Sequence, residues 1–103
     1  MKTSKRQFSA EKLAAVAKIL KIIAHPIKLE IMELLEAEEP LNVSALHERL
    51  SMDCELSMLS HHLAKMKDNG VLSSQKRGKQ VYYQLADRQI LRIFDCMEKC
   101  DFL

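Results

Sequence analysis

The amino-acid sequence predicts a mainly α fold of five helices and one two-stranded β-hairpin, and three observations carry that reading. Only two Gly and two Pro punctuate 103 residues, too few for a many-turned β architecture. Apolar residues recur at helical spacing through most of the chain. One segment, 71–85, instead carries β-branched and aromatic residues on either side of a polar turn containing Gly78.

Each element follows from local chemistry. From about Ser9 to Ala24, Leu13, Val16, Ala17, Leu20, Ile23 and Ala24 keep the helical rhythm, and Ser9 is placed to cap the first turn. Ile19 and Ile22 widen that stripe beyond what one small core requires, which points to a partner surface. His25-Pro26 ends the helix, because the residue before proline avoids helical geometry while proline suits the first turn of the next helix. The second helix spans 26–37, with Ile27, Leu29, Ile31, Leu34 and Leu35 as candidate core, and Glu38-Glu39-Pro40 closes it. Asn42 caps a short third helix carrying Val43, Leu46 and Leu50.

Ser51-Met52-Asp53 forms a turn, and a fourth helix runs to about Asp68, stopped by Asn69-Gly70. Strands at 71–75 and 80–85 flank the turn Lys76-Arg77-Gly78-Lys79. A last helix from about Asp87 to Lys99 sets Ile90, Leu91, Ile93, Phe94 and Met97 on its apolar side. A short helix, a turn, a longer helix and then a basic hairpin is the winged helix-turn-helix order.

Size and composition agree. The length fits a single domain over 1–103, with 1–8 expected to be flexible. A 48% hydrophobic and 29% charged composition is that of a folded soluble protein. No apolar run reaches membrane-spanning length, so no membrane partner is expected. The basic start lacks the apolar core of a signal peptide. Three cysteines without a secreted-scaffold spacing fit a reducing cytoplasm.

Net charge is only +2, but its distribution is uneven. Residues 1–28 carry seven Lys/Arg against one Glu, residues 29–55 one Arg against eight acids, and residues 56–85 five Lys/Arg against Asp68 alone. Basic segments around an acidic middle allow one cationic face on a soluble body.

On the fourth helix, Leu59, Leu63 and Met66 repeat at i, i+4, i+7 and face the core, with His62 beside them. Ser57, Met58, Ser60, His61 and Lys65 are left largely on the outer face. Small hydroxyls and an imidazole near a helix N-terminus can enter a major groove, and Lys65 can meet phosphate. A solvated polar face has the same composition. Basic hairpin tips are often merely solubilising, but Lys76, Arg77 and Lys79 surround Gly78 directly after this helix, as the tip of a wing would, which favours the DNA-contact reading.

These residues also resemble a family. Ala24-His25-Pro26-Ile27-Lys28-Leu29-Glu30-Ile31-Met32-Glu33-Leu34-Leu35 is similar to the A-[DH]-P-x-[RK]-L-x-I-L-x-x-L signature of the ArsR/SmtB repressors. Ser57-Met58-Leu59-Ser60-His61-His62-Leu63 resembles their S-x-x-S-x-H-L pattern. Asn69-Gly70-Val71-Leu72 and 78–85 look like their helix stop and wing, so the resemblance covers about residues 10–100. It implies a homodimer built by the first and last helices, two recognition helices on a pseudo-palindromic double-stranded DNA operator, and repression relieved by an inducer. It also implies that His62 is structural, hydrogen-bonded behind the recognition helix.

The family's metal sites do not carry over. Asn42 and Ser44 stand where the arsenic, lead and cadmium sensors place a C-x-C pair. Asp87 matches the first ligand of the zinc-type sensors, but Gln89 replaces the next histidine and Cys100 falls near a later one, and an isolated Asp and Cys are too few for a tetrahedral site. No metal and no cofactor is therefore expected. Cys54, Cys96 and Cys100 remain as small apolar packing residues or as a thiol sensor, redox or soft-metal, with Cys96 and Cys100 four apart on one helical face. His47, His61 and His62 could share a metal only if the fold gathered them.

The expected function is a homodimeric DNA-binding transcriptional repressor with an unidentified inducer. The alternatives are a thiol-responsive version of it and a winged-helix protein-interaction module without DNA. An enzyme is not expected, because no nucleophile elbow, phosphate-cradling Gly loop or paired-carboxylate motif is present.

Overall fold

In the computed structural model, which describes residues 6–101, the chain runs α1 (Ala10–Ile23), α2 (Pro26–Ala37), β1 (Leu41–Asn42), α3 (Val43–Arg49), α4 (Leu56–Asp68), β2 (Leu72–Arg77), β3 (Gln80–Leu85), a 3-10 helix (Arg88–Leu91) and α5 (Arg92–Glu98). Of the tail expected to be flexible, residues 1–5 lie outside the described residues, and Arg6, Gln7 and Phe8 belong to no helix or strand.

The starts of α1, α2 and α3 are set by side-chain caps. Ser9 Oγ accepts the Lys12 N–H at 3.0 Å to open α1, and Asn42 Oδ1 accepts the Ala45 N–H at 2.8 Å to open α3. His25 caps α2, its Nδ1 accepting the Ile27 N–H at 3.1 Å with Pro26 in the first helical position. The end of α4 is a Schellman stop. Gly70, at φ 81°, donates to Lys67 O at 3.0 Å, and Val71 donates to Met66 O at 2.9 Å. Val71 and Met66 are both buried, which supplies the apolar contact that accompanies this motif.

The core sits under the helix-turn-helix. Ile31, Met32 and Leu35 of α2, Leu46 of α3, and Leu59, Leu63 and Met66 of α4 are fully buried, closed on the sheet side by Val71, Leu72 and Leu85. Each contributes about 1.5–3 kcal/mol relative to exposure, so the angle between α3 and α4 is fixed from beneath. By contrast, Ile23 is the only buried residue of α1, while Leu13, Val16 and Leu20 are 55%, 44% and 46% exposed. An open apolar groove of about 300 Å³ runs between α1 and the C-terminal elements, lined by Val16, Ile19, Leu20, Ile23, Ile90 and Ile93.

Three features differ from the sequence expectation. The hairpin belongs to a three-stranded antiparallel sheet of order β1-β3-β2, because Leu41 and Asn42 pair with Tyr83 and Tyr82. Two residues are too few to show an alternating pattern. The hairpin turn is also shorter than Lys76–Lys79, since Lys76 pairs with Val81 and Arg77 with Gln80, leaving only Gly78 and Lys79 unpaired. Gly78 takes φ 62° and Lys79 has no positive φ, the signature of a type II′ turn.

The last helix is the third difference. Asp87 Oδ1 accepts the Gln89 N–H at 2.9 Å and tightens the first turn into a 3-10 form, so α5 begins at Arg92. It ends at Glu98 with Lys99 as cap. Cys100 therefore lies beyond the helix, and Cys96 and Cys100 do not share a helical face.

Candidate nucleic-acid interface

Burial sorts the residues of α4. Leu59, His62, Leu63 and Met66 are buried, at i, i+3, i+4 and i+7, and Ser57, Met58, Ser60, His61 and Lys65 are all exposed. All five side chains expected on the outer face are thus available to solvent on one rigid helix. The turn leading into α4 is held by His47, whose Nε2 lies 2.8 Å from the Cys54 carbonyl oxygen. Glu30 accepts the Ser51 N–H through both carboxylate oxygens, at 3.1 and 3.0 Å. The approach to the helix N-terminus is fixed from both α2 and α3.

Behind α4 lies a group of basic side chains that the sequence pattern does not bring together. The His25 and His62 ring centroids are 4.8 Å apart, and those of His61 and His62 are 6.5 Å apart. Lys28, which is 8% exposed, turns its Nζ onto the Ile22 carbonyl oxygen at 2.8 Å and so satisfies the C-terminal end of α1. Burial, and then the charge of Lys65, lower the Lys28 pKa. Burial lowers that of His62, reinforced by His25, Lys28, His61 and Lys65, so His62 is neutral near pH 7. Its buried place behind the helix fits a structural role, but among the described residues its ring makes no hydrogen bond. The motif containing Lys28 is visible in the sequence, but its inward turn is not.

In the wing, β-strand alternation sends neighbouring cations to opposite faces. Arg77 lies over the Tyr82 ring at 5.0 Å and donates to Gln75 Oε1 at 3.4 Å, on the face that also carries Gln80 and Gln84. Lys76 points to the other face, with Val81, and Lys79 occupies the turn. Lys76, Arg77 and Lys79 are all exposed. Gln75 donates to Gln84 at 3.2 Å, and Asn42 donates to Gln80 at 3.3 Å, tying β1 to the hairpin. The base of the wing is braced by Glu39, which accepts the Leu85 N–H at 2.8 Å through one oxygen and the Arg88 guanidinium through the other.

The sensor positions are otherwise engaged. Asn42 caps α3 and Asp87 caps the 3-10 helix. His47 binds the turn and is not in the His25, His61 and His62 group. Among the described residues, no three His, Cys, Asp or Glu side chains are grouped to hold a metal ion. All three cysteines are free thiols; Cys96 is exposed, while Cys54 and Cys100 are half-buried. Cys54 packs against the core beside α4.

Known proteins share this arrangement. A helix-turn-helix domain family matches residues 23–75, the span from the end of α1 into β2. The transcriptional repressor PagR of Bacillus anthracis is 32% identical over 74 residues, 72% of this chain and 72% of that protein. The PagR crystal structure superposes with a TM-score of 0.73 at 29% identity, covering 86% of this chain and 99% of that one. The homodimeric winged helix-turn-helix DNA-binding domain of Mb0332 from Mycobacterium bovis gives a TM-score of 0.70 at 26% identity, over 94% and 87% of the two chains. With the helix-turn-helix, the sheet and these relatives in agreement, the chain belongs to the ArsR/SmtB family of winged helix transcriptional regulators.

Proposed function

We propose that the protein is a homodimeric repressor that binds a pseudo-palindromic DNA operator through α4 and the wing. The observation that carries this reading is the exposed outer face of α4, with Ser57, Ser60, His61 and Lys65, followed directly by Lys76, Arg77 and Lys79. Hydroxyls, an imidazole and a lysine suit base edges and phosphates, and wing cations add counterion release. The uncovered apolar face of α1 and its groove beside Ile90 and Ile93 support dimerisation through the first and last helices. The names of PagR as a repressor and of the Mb0332 domain as homodimeric and DNA-binding point the same way.

Release by an inducer belongs to this reading, as does a cytoplasmic location beside DNA. No helix among the described residues is long and apolar enough to cross a membrane. The protein acts by occupying DNA rather than by catalysis. A titration of the full chain against duplex fragments, including its own upstream region, tests the reading. Saturable binding at two chains per site, falling steeply with salt, is expected. Failure to bind any promoter fragment would favour a protein-interaction module instead. Repeating the titration with oxidant, and with thiophilic metals, tests whether Cys54, Cys96 or Cys100 carries the releasing signal.

A further inference from the structure

The outer face of α4 is informative in what it lacks. Between Ser57 and Lys65 its exposed side chains are Ser57, Met58, Ser60, His61, Ala64 and Lys65. Lys65 is the one guanine reader among them, and there is no Arg, Asn or Gln to make the other bidentate pairs by which guanine and adenine are most often read. Two large apolar side chains stand in the first turn instead, Leu56 and Met58, each 50% exposed. Leu56 lines the hollow shared with His47 and Leu50 on the α3 side. Met58 stands three residues before His61 and seven before Lys65, in one stripe along the helix.

A side chain in that stripe travels with His61 and Lys65 wherever they go. An uncharged thioether gains nothing from a phosphate, and it cannot donate a hydrogen bond to a base. The one apolar group on a major-groove base edge is the C5-methyl of thymine. Methionine is flexible and polarisable enough to pack against it without a preformed pocket. We propose that Met58 is a specificity residue that reads a thymine methyl in each operator half-site. The proposal rests on the DNA-binding reading above and adds to it the class of half-site: one with an A·T pair whose thymine faces the first turn of α4. Because the contact involves no charge, it changes sequence preference and leaves salt dependence alone.

The test uses the duplex that the full-length wild-type chain selects from a randomised library, with each thymine replaced singly by uracil. That replacement removes the methyl group and preserves pairing. At one thymine per half-site, affinity is expected to fall about fourfold, the worth of withdrawing one methyl-sized group from water, and about fifteenfold when both half-sites are changed. Met58→Ala, at an exposed position, is expected to bind thymine and uracil duplexes equally, with an unaltered salt slope. Met58→Leu is expected to keep much of the preference. Indifference to every thymine methyl would overturn the proposal, as would a uracil penalty that persists undiminished in Met58→Ala. Selection of no duplex at all would refute the DNA-binding reading itself, a result distinct from either.

Discussion

The His25 and His62 rings meet at 4.8 Å where the start of α2 crosses the back of α4. His25 also caps α2, and Lys28, one turn on, donates to the Ile22 carbonyl in the last turn of α1. The end of the first helix, the start of the second and the inner face of the candidate recognition helix therefore converge on one group of basic side chains.

That convergence predicts a pH dependence. Burial and cationic neighbours hold the His62 pKa below the ordinary 6.5, so the unfolded chain takes up this proton at higher pH than the folded one. The stability contributed by neutral His62 is complete above pH 6.5 and is lost as pH falls from there through the folded pKa. Urea unfolding followed from neutral pH into the acid range is expected to show stability falling across that window. His62→Gln is expected to flatten that part of the profile.

The exposed stripe on α1 predicts a change of assembly state. Leu13, Val16 and Leu20 are each about half exposed, and covering the exposed half of each is worth about 1 kcal/mol. Sedimentation is expected to find the wild type dimeric and a Val16→Glu, Leu20→Glu variant monomeric, with helical content kept. The monomer is expected to lose more than about tenfold in DNA affinity, because two linked half-sites no longer bind together.

Wing cations predict a salt effect separable from folding. Lys76→Ala with Lys79→Ala removes two exposed ammonium groups that make no hydrogen bond or ion pair among the described residues. Thermal stability is expected to stay within about 0.5 kcal/mol. The slope of log affinity against log salt is expected to become shallower by about 0.9 for each phosphate that these lysines no longer neutralise, which binding isotherms at several salt concentrations measure.

Glu39 predicts a stability loss remote from the DNA face. Its carboxylate accepts the part-buried Leu85 N–H and pairs with Arg88. Glu39→Ala leaves that N–H without its acceptor and is expected to cost about 1–3 kcal/mol in chemical denaturation. Glu39→Gln, which keeps an acceptor for Leu85, is expected to cost less.

How much of the fold and of the site is legible in the sequence depends on how far each interaction reaches. Ser9, Pro26, Asn42 and Gly70 act within a turn of where they stand, and the helix ends they mark agree with the structure. The outer face of α4 follows from Leu59, Leu63 and Met66 by the same local geometry. What the sequence hides depends on distant partners. The Leu41–Asn42 strand exists only because Tyr82 and Tyr83 lie beside it. Glu39 reaches Leu85 and Arg88, 46 and 49 residues away. Lys76 and Arg77 read as turn residues because their pairing with Val81 and Gln80 depends on the turn closing tightly at Gly78. Lys28 is a charged residue in an amphipathic helix, and nothing local says that it turns inward to the end of α1.

If α4 reads DNA, the side chains at the centre of its outer face must matter while the fold ignores them. Ser57 and His61 are both exposed, so a Ser57→Ala, His61→Ala variant is expected to keep the circular dichroism, unfolding midpoint and sedimentation of the wild type. Its affinity for the duplex selected by the wild type is expected to fall at least about tenfold, since a specific base contact is worth about 1–3 kcal/mol. A folded, dimeric double variant that binds that duplex as tightly as the wild type would contradict the assignment of α4 as the recognition helix.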